Sequence, residues 1–267
     1  ILGRIDGALD TRSVSLGAID RIAVYQGLDS LRFGSQNIAG TMSLESPYTL
    51  DNRSRARVAA GSFGRLMADG SLSRQESSGL GWLASASHWR SNAVRVKADA
   101  VDTTLDAAAR VSGAALVSKE SALTVKGRDL DLRMGADAYG ENTKGVVGGD
   151  FKTGDQSRVH VFADARSRRS SAHVSYNEYR SELKGLAASS GAGRDDKFVE
   201  RAVRVAPTLE ETVAETTLLA GLDADFHATE SSRTSRGRIN RVTGGVHAGA
   251  RRALGEMWVI GAGTRYD

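Results

Sequence analysis

In segment after segment of this chain the side-chain character switches at every residue, and that period of two restricts the fold more than any other feature. Leu130, Leu132, Met134, Ala136 and Ala138 interleave with Asp131, Arg133, Gly135 and Asp137. Val159, Val161, Ala163 and Ala165 interleave with Arg158, His160, Asp164 and Arg166, and Phe162 interrupts the polar row. The longest run sets Leu218, Ala220, Leu222, Ala224, Phe226 and Ala228 against Leu219, Gly221, Asp223, Asp225 and His227. Val94 to Ala100, Val242 to Ala250 and Trp258 to Ala262 repeat the pattern. Successive side chains of a strand point to opposite faces, so each run predicts a strand with one apolar and one polar face. About ten such residues cross a bilayer when the strand is tilted.

Two architectures accept this pattern. A transmembrane barrel turns the apolar row to lipid and the polar row to a wet lumen, because lipid satisfies no backbone N–H or C=O and the sheet must close. A soluble sandwich turns the apolar row inward. The apolar rows are rich in Ala and poor in Ile and Phe, which is thin for a sandwich core, and the charge of the polar rows suits a lumen. No window approaches the roughly 20 apolar residues of a spanning helix. With no cysteine, the chain has neither a disulfide framework nor thiolate chemistry. Its 36 basic and 32 acidic residues alternate along the chain, not in the basic face with stacking aromatics that nucleic acid would require. Both ends read as cut: Ile1-Leu2-Gly3 is no signal peptide, and Arg265-Tyr266-Asp267 follows a strand-like run directly.

The first fifty residues carry a different pattern. A β-run, Ile22 to Tyr25, reaches a turn at Gly27; a segment ending Leu31-Arg32-Phe33-Gly34 follows, then Ala39-Gly40 and the alternating Thr41-Met42-Ser43-Leu44. Glycines stand where reversals need φ > 0. Ile19-Asp20-Arg21-Ile22, Val24, Gly27, Ser30, Phe33-Gly34, Ile38, Gly40 and Leu44 fall in register with one motif, and the stretch resembles the C-terminal half of the plug of TonB-dependent outer-membrane receptors. Leu28, Ala23 and Gln26 depart from that motif, at its usual proline, acidic and basic positions.

The resemblance implies an all-β fold: part of a plug over residues 1–50, then the first part of an antiparallel transmembrane β-barrel over 51–267. The alternating runs make roughly ten to twelve strands, against about 22 in plugged transporters, so the chain reads as a fragment. It implies active transport of a scarce solute, such as siderophore-bound iron or a vitamin, across the outer membrane. The partners implied are the energy-coupling protein TonB, acting through a segment outside this chain, a small ligand such as a metal chelate, and outer-membrane lipid. Asp20, Arg21, Gly27, Phe33, Gly34 and Gly40 are the motif residues, and Arg21 is expected to pair with carboxylates of the barrel wall. A passive porin, a structural barrel and a soluble β-sandwich binding module are the alternatives.

The connections and the chemistry complete the expectations. Residues 139–145 and 153–157 read as short turns, 184–211 with Pro207 as a long polar loop facing a ligand or a disordered insertion, and 100–110 as room for a helical turn. Arg53, Arg55 and Arg57 share one face of an extended segment and are candidates to line a lumen, favouring anionic solutes or balancing lumenal acids. The five histidines lie on separate segments without metal-ligand spacing, Gly145 to Asp150 lacks the Lys-Ser/Thr of a phosphate loop, and no GxSxG elbow occurs. The chain reads as no enzyme, with neither metal nor cofactor.

Overall fold

The computed structural model describes residues 19–25, 41–47, 50–92, 94–98, 101–125, 128–147, 150–187, 193–232, 237–254 and 258–267. Two short strands, β1 (Arg21–Tyr25) and β2 (Thr41–Glu45), pair antiparallel with Val24 opposite Met42. All the described strands from Arg53 onward belong to one 12-stranded sheet. Its first strands are β3 (Arg53–Ala60), β4 (Leu66–Gln75), β5 (Leu80–Ser91) and β6 (Val94–Ala98). Next come β7 (Val101–Val125), β8 (Arg128–Val147), β9 (Asp150–Arg166) and β10 (Ser170–Ala187). The last four are β11 (Gly193–Val213), β12 (Thr216–Ser231), β13 (Arg238–Leu254) and β14 (Trp258–Tyr266). Neighbours in sequence are neighbours in the sheet, except that β5 and β6 both pair with β7. No helix occurs among the described residues.

The sheet is inside out by soluble-protein standards. Met134 is 61 % exposed, Val246 61 % and Leu222 49 %, while Arg133, Arg158, Asp164, Asp223 and Asp225 are buried on the opposite face. A soluble sandwich would cover its apolar row with a second sheet, and none does so among the described residues. The apolar row matches what a lipid-facing surface requires.

Three expectations are corrected. Residues 139–145 and 153–157 are not two turns; they pair with each other, Asn142 opposite Asp155 and Lys144 opposite Thr153, as the far ends of β8 and β9. Residues 184–187 and 193–211 are not loop: Lys184 to Ala187 end β10, and 193 onward forms β11, paired with β10 and β12, while 188–192 lie outside the described residues. Residues 101–110 are strand, not helical turn, and lie within β7. The reason is common to all three. Strands of 16 to 25 residues outrun the 9–11 that cross a bilayer, and beyond the apolar belt polar cross-strand pairs carry the ladder on. Asn142 Nδ2 donates to Asp155 Oδ1 at 2.5 Å, and Glu182 of β10 meets Lys197 of β11 at 3.3 Å. Pro207, which suggested a loop, sits where the β11–β12 register skips from Val205–Ala224 to Thr208–Gly221, so its missing N–H interrupts the ladder only locally.

The two ends of the sheet differ. Turns at 76–79, 167–169 and 214–215 are tight, and the chain enters β3 at that same end, where Asn52 Oδ1 accepts from the Gln75 amide at 2.9 Å. At the opposite end β7 to β11 extend farthest.

Candidate functional site

The inner face of the sheet, the one bearing the buried charges, is organised by pairing across strands. Arg133 of β8 lies opposite Asp164 of β9, which lies opposite His173 of β10. The guanidinium holds Asp164 Oδ2 through Nε at 2.9 Å and Nη2 at 2.5 Å, and His173 Nδ1 meets Oδ1 at 2.6 Å. Higher on the same face, Asp137 is shared by Arg158 and by His160 Nδ1, the latter at 2.8 Å. Phe162 stands between the two groups, its ring stacked 5.5 Å from His160 and 6.5 Å from His173. The charges are thus buried as pairs, the arrangement that makes burial of a charge tolerable.

The pattern continues around the wall. Glu141 accepts from Tyr139 and pairs with Arg110 at 3.1 Å, and Arg110 lies over the Trp89 ring at 4.3 Å. Arg204 meets Asp225 at 3.6 Å, His227 meets Glu200 at 3.4 Å, and Arg265 meets Asp223 through two nitrogens at 2.6 and 3.1 Å. Among the described residues no three His, Asp or Glu side chains converge as a metal site. The face thus carries aromatic rings and paired charges.

The N-terminal two-stranded sheet is fastened to this wall. Within it, Arg21 pairs with Glu45: Nε donates to Oε2 at 3.1 Å, and Tyr25 donates to Oε1 at 2.7 Å. The expected partner of Arg21 was a wall carboxylate; the structure gives it Glu45 of the adjacent strand. Burial pushes the Glu45 carboxyl up, but the hydrogen bonds from Arg21 and Tyr25, with the charges of Arg21 and Arg133, outweigh it and hold the group below its ordinary value. The contact with the wall comes from the other side, as Arg133 donates through Nη1 to the main-chain oxygen of Ser46. Leu50 then buries itself against Leu83 and Leu116, its amide donating to Gln75 Oε1 at 3.1 Å. Ser73 Oγ donates to the oxygen of Asp51 at 2.6 Å.

Of the residues singled out in the sequence, Asp20 precedes β1 and Arg21 begins it, and the Asp20 amide donates to the Glu45 main-chain oxygen at 2.9 Å. Gly27, Phe33, Gly34 and Gly40 lie outside the described residues. Arg53, Arg55 and Arg57 stand opposite Ser73, Ser71 and Asp69, on the face that carries buried Leu83. Arg53 pairs with Asp51 at 2.5 Å and Arg57 with Asp69 at 2.8 Å. Sequence reasoning missed Arg133 and Leu50. Arg133 is one of many alternating charges, and Leu50 belongs to no periodic run; the interruption at Phe162 was the one visible signal for this part of the wall.

Comparison with known proteins supports the fold independently. A solved structure described as "Copper transporter OprC" superposes with a TM-score of 0.73 at 15 % sequence identity. The match covers 99 % of this chain and 44 % of that one. The fold is therefore an antiparallel outer-membrane-type β-barrel wall, of which this chain supplies a part. No family model matches the sequence, and no curated protein matches it.

Proposed function

We propose that this chain is the plug-to-barrel portion of an energy-coupled receptor that carries a scarce solute across the outer membrane. The observation that carries the reading is the fastening of the N-terminal sheet to a charged inner wall whose outer face is apolar. A lipid-facing exterior with a paired, polar interior is a wall for solute passage, and a sheet held across that interior obstructs it. The resemblance of residues 19–44 to the receptor plug motif supports the same assignment, and the barrel fold shared with a copper transporter supports transport in general. The short-turn end, where the link enters β3, corresponds to the periplasmic side, and outer-membrane lipid covers the apolar rows. Motion of the plug is driven mechanically by TonB, through a segment outside this chain. Arg53 and Arg57, each already paired with an acid, balance lumenal charge rather than select anions.

The deciding experiment compares cells carrying the whole gene, cells lacking it and cells lacking TonB. Accumulation of ferric siderophores, cobalamin and copper(II) is measured in each. Loss of one solute in both deletion strains is expected. Accumulation that depends on this gene but not on TonB would overturn energy coupling in favour of a passive barrel.

A further inference from the structure

The link between the N-terminal sheet and the first wall strand does not run directly to β3. Ser46 is held by Arg133 of β8, while Arg53 begins β3, and β7, β5 and β4 lie between them in the sheet. That path crosses four strand spacings, about 19 Å along the wall. Seven residues reach at most about 25 Å when fully extended, enough to span that path.

Its attachments are spread along that path. Arg133 on β8 takes Ser46; Leu116 on β7 and Leu83 on β5 take Leu50; Gln75 and Ser73 on β4 take Leu50, Asp51 and Asn52. The wall makes room for it at Gly81 of β5. A Cβ there would fall 3.0 Å from Leu50 Cδ1 and 2.5 Å from Gln75 Oε1, so a larger residue must push aside the two side chains that seat the link. Arg133 itself cannot swing freely, since Asp164 grips it from the neighbouring strand, His173 holds Asp164, and Phe162 packs beneath its guanidinium at 5.4 Å.

We propose that the attachments at Ser46 and at Leu50 to Asn52 act together as a strap that carries force, and that Arg133 is the positioning residue through which force on the N-terminal sheet enters the wall. The proposal rests on the energy-coupled reading. With Arg133 in place, a pull on the N-terminal sheet is resisted at β8 and shared with β9 and β10 before it reaches the link. Residues before Ser46 then move while those from Leu50 onward stay on the wall. Without it, the same pull strips the link from the wall toward β3.

The test is single-molecule pulling on the N-terminus of the full-length protein in lipid. The wild type should show a force peak at the extension that places the attachment at Ser46 to Asn52. Arg133→Gln should lose that peak, and Gly81→Val should lose or lower it without altering any charge. Later peaks from the wall strands report that each variant is folded. If the peak keeps its force in both variants while the wall peaks are unchanged, the strap is overturned. Energy coupling is judged separately, by solute accumulation in cells lacking TonB, so the two failures are distinguishable.

Discussion

Gly135 of β8 lies directly opposite Phe162 of β9, and the Cβ that the glycine lacks would fall 2.6 Å from the Phe162 ring. His160 and His173 stack near the ring, at 5.5 and 6.5 Å between centroids, and Arg133 lies over it, which limits where it can move. Overpacking of this kind typically costs about 1–3 kcal/mol. Gly135→Val should therefore lower the urea midpoint of the full-length protein in detergent, and Gly140→Val, whose added Cβ meets only ordinary contact with Val111 at 3.4 Å, should lower it far less.

The assignment of faces can be checked with one residue type. Val161 is exposed on the apolar row of β9, and Asn177 of β10 points to the inner face beside His160. In lipid, Val161→Arg should destabilise the protein by about 2–4 kcal/mol, the cost of a basic residue near the bilayer midplane. Asn177→Arg should cost far less. Reversible unfolding in vesicles reads both; equal effects would mean that the faces are assigned the wrong way round.

The turn between β11 and β12 is built from residues poorly suited to it. Ala214 and Glu215 both have positive φ, 45° and 68°, in a two-residue connection where Asn-Gly is the favoured pair. Ala214→Asn with Glu215→Gly should stabilise the hairpin by about 1 kcal/mol. The loss of Glu215's exposed 3.6 Å pair with Arg252 subtracts little. Thermal unfolding of the double variant should shift upward.

Acid should loosen the N-terminal sheet. Glu45 is held below its ordinary value when folded, so its contribution is present above the unfolded pKa, near 4.5, and is lost as pH falls through the folded value. Protonation removes the charge that pairs with Arg21 and turns one of the two oxygens that accept from Arg21 and Tyr25 into a donor. Protease access to residues 41–47 should rise below about pH 4.5 in the wild type. In Glu45→Gln it should be high already at neutral pH and respond little to acid.

Where the period of two runs unbroken, it marks a strand and separates its two faces. Leu130 to Ala138 and Leu218 to Ala228 fall on strands with the alternation intact, because a face toward lipid and a face toward paired charges impose opposite chemistry on adjacent residues. The pattern fades beyond the bilayer, where both faces meet water. There 139–145 and 153–157 resemble turns, and only the tertiary structure shows that they are each other's partners. Pairing across strands is not a local property, so no single segment announces that Asp164 serves both Arg133 and His173. The same holds for the link: its residues have no period, and the position of Leu50 is decided by the space that Gly81 leaves on a strand some thirty residues away. Alternation tells, segment by segment, which residues share a face; which face is left outward, which charges meet and where the N-terminal sheet is tied depend on contacts that exist only once distant strands share one wall.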